Sequence, residues 1–226
     1  MKPFFEFDNS VQIPFLNEIY LRVFGSKYVG TVVDVGAYVG KTLSNCYGLI
    51  LRGWSALLIE PVNEHFQKLL ENLEHRQNCT FRNVALGSSI GSGVIFKAGA
   101  LSTLNPDLIE EYKKFDWSKN AIEEDDQRVD ISTLDIELKN FLRDKSLDLL
   151  IIDTEGYETQ VMKGFTISEW KPKMLIIELA DFHPDIESTR LDHKRLYESI
   201  LDAGYVVIYK DAINTMFLER TFWSTV

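Results

Sequence analysis

The chain has 226 residues, 45% hydrophobic and 26% charged, proportions that let a globular enzyme bury an ample core without disulfide or metal staples. Its formal net charge of −10 repels nucleic acid and anionic membranes at long range, so neither is an expected partner. Cys46 and Cys79 lack metal-ligand spacing, the opening Met1–Glu6 has no long apolar run, and no stretch approaches the ~18 apolar residues of a membrane span. A cytoplasmic protein is the resulting expectation.

Residues 4–24 predict a helical stretch within an N-terminal arm (residues 1–29), because Phe15, Leu16, Ile19, Tyr20 and Val23 recur at helical spacing. Residues 31–35 form a short apolar run ending in glycine, the form of a buried parallel strand. Helical sequence is expected from there to Leu51. A second buried strand follows at 55–60, a helix at 64–74 and a third strand at 80–84. Strand, helix, strand, helix, strand is the first half of a doubly wound sheet. A short strand at 93–98 comes next.

Residues 99–128 carry few branched apolar residues and an acid run, and are expected to be an insertion or lid over the sheet edge. Phe115, Trp117 and Tyr112 within it are available to stack on a sugar ring. The alternation resumes with a strand at 147–153, a helix at 157–164, a strand at 174–179 and a helix at 193–203. Strands at 205–209 and 215–218 are close enough to form a hairpin, so the final strand runs antiparallel. The expected class is α/β: one domain over residues 1–226, Rossmann-like and mostly parallel.

A cofactor site is expected at the first strand-to-helix turn. Gly36 lets the backbone turn sharply and approach a ligand, and Gly40 lets the next helix pack closely. The spacing is Gly-x-x-x-Gly rather than the Gly-x-Gly-x-x-Gly of dinucleotide folds, and Asp34 puts a carboxylate where it would repel a pyrophosphate. A cofactor without phosphate but with an ammonium and a sulfonium, S-adenosyl-L-methionine, suits that carboxylate. Glu60 ends the second strand, where an acid accepts ribose hydroxyls. The bland alternative for the glycines alone is a tight loop.

The reaction side is expected where the fourth and fifth core strands end. Asp153, Glu155 and Glu158 follow the fourth, with helix capping as the alternative role. His183 follows the fifth and is either a general base or a loop histidine. The acids after the fourth strand are expected to face the acceptor; no metal ligand set is expected, Asp153 and Asp181 being the nearest candidates.

These segments in order resemble the FkbM family of methyltransferases. The resemblance rests on Val33-Asp34-Val35-Gly36-Ala37, on Leu43–Tyr47, on Arg52–Ser55 with Ile59-Glu60-Pro61, on Asn83–Gly87, on Ser132–Asp135 and on Ile152–Glu158, with Gly204-Tyr205 and Asn214 near the end. It spans about residues 10 to 220. It implies S-adenosylmethionine-dependent methyl transfer, commonly to a hydroxyl of a sugar, glycan or polyketide-derived small molecule. It implies cofactor contacts from Asp34, Gly36 and Glu60, with Asn83 and Ala85 on the adenine side. Ile151 and Thr154 depart from the family's usual residues around the motif aspartate, which leaves acceptor choice open. A nicotinamide-dependent oxidoreductase and a catalytically silent binding module are the alternatives. The expectation is methyl transfer to a sugar or glycan hydroxyl, with Asp153 as base or orienter ahead of His183, and Glu155, Glu158 and Trp117 on the acceptor.

Overall fold

The computed structural model describes residues 13–123, 125–143 and 146–224. Residues 4–12 of the expected helical arm lie outside these. Helix α1 (Leu16–Phe24) is the described part of the arm. The main sheet then begins with β1 (Thr31–Val35), β2 (Ser55–Ile59) and β3 (Cys79–Arg82), with α2 (Tyr47–Leu51) and α3 (Asn63–Leu73) between them. A second, three-stranded sheet comprises β4 (Ala85–Leu86), β5 (Gly91–Phe96) and β6 (Asp126–Ser132), with α4 (Pro106–Tyr112) between β5 and β6. The chain returns to the main sheet through α5 (Leu134–Phe141), β7 (Leu149–Ile152), α6 (Glu158–Lys163), α7 (Ile167–Trp170) and β8 (Met174–Glu178). It closes with α8 (Arg190–Asp202), β9 (Tyr205–Lys210), β10 (Asn214–Glu219) and α9 (Arg220–Trp223).

The main sheet has seven strands in the order β3-β2-β1-β7-β8-β10-β9. Only β10 opposes its neighbours, pairing antiparallel with both β8 and β9. The chain order reverses beside β1, between β2 and β7, which is the switch point where open α/β sheets leave a crevice at their carboxyl ends. The alternation of strand side chains divides the core. Val33, Val35, Leu57, Ile59, Leu150 and Ile152 pack on one face with Leu134, Val161 and Ile200. Val32, Leu58, Leu149 and Ile151 pack on the other with Leu16, Leu49 and Leu69. All are nearly solvent-free, and burying such a side chain contributes about 1.5–3 kcal/mol against exposure.

Three expectations change. Helix does not follow β1 directly, because Leu43 is in the left-handed region (φ 61°) and the Ser44 hydroxyl accepts from the N–H groups of Cys46 and Tyr47. That local turn competes with helix, which starts only at Tyr47. The third strand ends at Arg82, so Asn83 and Val84 are connectors and Ala85 opens the second sheet. Finally, residues 126–128 belong to β6, whose antiparallel partner is β5, so the segment between those strands ends at 125. Much of that segment is built into the molecule: Leu108, Ile109 and Tyr112 are buried with Ala98, Ala180 and Ile186.

Candidate functional site

A cavity of ≈520 Å³ runs across the carboxyl ends of the central strands. Residues after β1 and β2 line one end; residues after β7 and β8, with the segment between β5 and β6, line the other. Gly36 shapes its floor. Its φ is +89°, and a Cβ there would stand 1.7 Å from the Asp153 carbonyl oxygen. Only glycine lets the β1 turn pass so close to the β7 turn.

Asp34 shares the even-numbered face of β1 with Val32, so it points toward the buried segment before α2 rather than out of the strand tip. It is 4% exposed, and the Cys46 thiol donates to its Oδ2 at 3.0 Å. Burial pushes its carboxyl up to about 7; the thiol bond opposes that rise, and the Asp153 and Glu60 charges add to it. Glu60 is equally buried. Its Oε2 accepts from the Tyr38 N–H at 2.9 Å and its Oε1 from the Val62 N–H at 2.8 Å. These bonds fix the carboxylate at the end of β2 while leaving lone pairs for a ligand. Tyr38 has φ 49°, and its ring meets the His65 ring edge-on at 4.5 Å.

Ala85 lines the cavity, but Gly40 and Asn83 do not. A Cβ on Gly40 would meet Leu69 Cδ1 at 2.3 Å, so this glycine serves close packing against α3 rather than a ligand. Asn83 uses its amide to donate to the backbone oxygens of Glu60 and Pro61. It steadies the Glu60 turn from behind.

At the other end, Asp153, Glu155 and Glu178 each place an oxygen within 4.8 Å of the others. Together they could hold a metal ion, a grouping the sequence does not announce because Glu178 lies 23 residues beyond Glu155. Asp181, one of the acids expected nearby, is instead tied to Lys210 at 2.6 Å. Burial, then the Glu155 and Asp153 charges, push Glu178 well above the carboxylate range, and it hydrogen-bonds Asp153. Two carboxyls can share a hydrogen bond only with a proton between them, so this pair holds one proton in common. Glu155 is likewise pushed up, by burial first and Asp153 second.

Glu155 has φ 52° and Gly156 φ 81°, two successive left-handed residues. A non-glycine there costs about 1–2 kcal/mol and persists only where neighbours enforce it. The enforcing contacts come from the segment between β5 and β6. Thr103 Oγ1 donates to the Glu155 carbonyl at 2.6 Å, Asn105 Nδ2 to the Gly156 carbonyl at 3.1 Å, and the Tyr112 hydroxyl to Glu155 Oε2 at 2.6 Å. On the far side of α4, Glu111 accepts from the N–H groups of Glu187 and Ser188 and from the Ser188 hydroxyl. Helix α4 thus bolts the turn after β7 to the segment before α8.

Glu158, expected on the acceptor, is fully buried and outside the cavity lining. Its Oε1 accepts from Thr154 N–H, Thr154 Oγ1 and Gly156 N–H, and its Oε2 lies 2.9 Å from His193 Nε2. Burial opposes its ionisation, but the His193 bond and the backbone donors outweigh it and hold the carboxyl below the usual range. His193 Nδ1 accepts from the Ala180 N–H at 2.9 Å, so one buried pair links the turns after β7 and β8. Nothing in the spacing of the sequence marks His193 for this.

His183 lines the cavity, half-buried. Its Nδ1 accepts from the N–H groups of Asp185 and Ile186. With Nδ1 accepting, the neutral tautomer carries its proton on Nε2. Trp117 is at the rim, 56% exposed, stacked on Phe115 and edge-on to Tyr112. The Ser132–Asp135 stretch has structural roles: Thr133 caps α5, and Asp135 accepts from Trp170 Nε1 and the Thr166 N–H.

Comparisons with known proteins bear on the fold and the family. In the solved structure of methyltransferase FkbM from Methylobacillus flagellatus KT, the match has a TM-score of 0.51 and 19% identity and covers 84% of this chain and 43% of that one. This chain therefore spans under half the length of that relative. A putative caffeoyl-CoA O-methyltransferase from Staphylococcus aureus matches at TM-score 0.49 and 14% identity, over 92% of this chain and 84% of that one. A putative RNA methyltransferase from Pyrococcus horikoshii matches at TM-score 0.42 and 14% identity, over 92% and 87%. No curated protein sequence matches the chain. Among the described residues no helix is long and apolar enough to cross a membrane. The model of the methyltransferase FkbM domain matches residues 34–207. The sheet is a Rossmann-like methyltransferase sheet, and this chain belongs to the FkbM methyltransferase family.

Proposed function

We propose that this chain transfers a methyl group from S-adenosylmethionine to a hydroxyl of a sugar, glycan or related small molecule. The observation that carries the reading is a single cavity joining the Asp34–Glu60 end to the Asp153–Glu155–Glu178 end. The first end suits the cofactor. Gly36 leaves room where any side chain would collide with the Asp153 carbonyl. Glu60 presents an anchored carboxylate for the ribose hydroxyls. Asp34 is a buried carboxyl whose ionised form gains from a nearby ammonium or sulfonium. Ala85 stands where the adenine side is expected.

When bound, the cofactor would supply a sulfonium-activated methyl group to the acceptor oxygen, with the thioether sulfur as leaving group. Asp153 orients the acceptor hydroxyl and takes up its proton. Glu178 donates a hydrogen bond to Asp153 and holds that carboxylate in place. His183, with its proton on Nε2, donates to the acceptor rather than deprotonating it. The segment between β5 and β6 acts as a fixed wall: it shapes the acceptor end through Tyr112 and Trp117 and excludes water from the reacting atoms. S-adenosylhomocysteine should raise the melting temperature by mass action, and NAD should leave it unchanged. The opposite pattern would sink the reading.

A further inference from the structure

We infer that the acceptor carries an amine and no phosphate or carboxylate, so that amino sugars are taken and sugar phosphates and nucleotide sugars are refused. This rests on the methyl-transfer reading above and narrows its acceptor class. Six carboxyl groups line the cavity, from Asp34, Glu60, Asp153, Glu155, Glu178 and Asp211, and among the described residues no lysine or arginine does. Asp34 and Glu60 belong to the cofactor end. Asp211 is consumed locally: its oxygens accept from the Tyr209 hydroxyl and from the N–H groups of Ile213 and Asn214.

The acceptor end is therefore governed by Asp153, Glu155 and Glu178, crowded within 4.8 Å. Glu178 Oε2 has neither solvent contact nor a hydrogen-bond partner among the described residues. An ammonium placed among the three carboxyls relieves that crowding. Trp117, exposed at the rim, adds aromatic surface at the same end, and carboxyls that hold back one another's ionisation gain by ionising beside a cation.

Two backbone turns at this end that could hold an anion are already engaged. The turn after a parallel strand commonly binds phosphate through free N–H groups. Here the N–H groups of Thr154 and Gly156 already donate to Glu158 Oε1, itself a buried anion. At His183 the N–H groups of Asp185 and Ile186 donate to the ring. A phosphate entering this end would meet three carboxyls, with these four backbone donors engaged elsewhere.

The test compares glucosamine, glucose and glucose phosphate by calorimetry against the full chain, with and without S-adenosylhomocysteine, and repeats the series with magnesium chloride. Glucosamine should bind roughly tenfold or more tightly than glucose, and glucose phosphate more weakly than glucose. Glu178→Gln and, separately, Glu155→Gln should erase the amine preference while S-adenosylhomocysteine affinity stays within about twofold. Two independent variants guard against one that misfolds. No preference for glucosamine over glucose overturns the inference. So does glucose phosphate binding that appears with magnesium and disappears in Glu178→Gln, which would make the three carboxyls a metal site. Failure of S-adenosylhomocysteine to bind, with amine preference intact, instead indicts the cofactor reading and leaves the charge preference standing.

Discussion

At the ends of β1 and β2 the cavity wall is strand backbone and its immediate turns. Gly36 and Ala37 donate to the Ile59 carbonyl, and Glu60 closes on the N–H groups of Tyr38 and Val62, all within about two dozen residues of sequence. At the ends of β7 and β8 the wall is loop, held by partners 35 to 77 residues away: Thr103 and Tyr112 on Glu155, His193 on Glu158, Glu111 on Ser188. The first half is made of local contacts and the second of long-range ones; on the proposed reading the first holds the cofactor and the second the acceptor.

Substitutions can break that division. The largest effect is expected from Asp153→Asn, which should lower kcat by ~10²–10⁴-fold, the usual loss for a general base, while S-adenosylhomocysteine binds as to the parent. Single-turnover kinetics with any accepted substrate reads this. Undiminished turnover would remove Asp153 from the chemistry.

Next, Glu158→Ala leaves three donors and His193 unpaired in the core. Breaking such a buried pair costs about 3–5 kcal/mol of stability, measurable by urea denaturation. A change near zero would mean that the two turns after β7 and β8 are not held by this pair.

Glu60→Ala should weaken cofactor binding by roughly 1.5–3 kcal/mol, the range for hydrogen bonds to a charged group. Because Glu60 also accepts two backbone N–H groups, its loss should lower the melting temperature too, which its position at a strand end does not by itself suggest. Unaltered cofactor affinity would refute the ribose assignment.

Asp34 gives the comparison a pH signature. Burial raises its folded pKa from 3.8 to about 7. The stability this group contributes to the ligand-free protein is therefore fully present below the unfolded value and is lost as pH rises through about 7. A cationic ligand binds the ionised form, so S-adenosylmethionine affinity should fall by up to about tenfold per pH unit below that point. A flat affinity from pH 5.5 to pH 8 (about 1.5 units either side at most) would place the cation away from Asp34.

The smallest effect is expected at the rim. Trp117→Ala should raise acceptor KM by roughly threefold to thirtyfold, about what one exposed aromatic contact supplies, with cofactor affinity unchanged. Steady-state kinetics would show it, and identical acceptor KM would return this side chain to the surface.

The same division governs what could be read from the sequence. Strands β1, β2, β7 and β8 are buried on both faces and read as continuous apolar runs, so their ends, and Asp34, Gly36, Glu60 and Asp153 with them, were legible. Strand β6 was not, because its acids alternate outward and its partners lie in a separate sheet. The irregular stretch before α2 looks helical in sequence because the Ser44 turn leaves no periodic trace. Glu158 and Asn83 sit inside recognisable motifs yet serve backbone hydrogen bonds, and a motif does not say which way a side chain turns. Glu178 joins Asp153 only through strand pairing of β7 with β8, a register no local pattern reports. His193 is found only once the fold brings α8 against the turn after β7.

The most direct test is calorimetric titration of S-adenosylhomocysteine into the parent chain, Glu60→Ala and Asp153→Asn. Methyl transfer from a cofactor held at the β1–β2 end requires binding to the parent, a roughly tenfold to hundredfold loss in Glu60→Ala, and no loss in Asp153→Asn. Absence of binding to the parent, or equal loss in both variants, would contradict it.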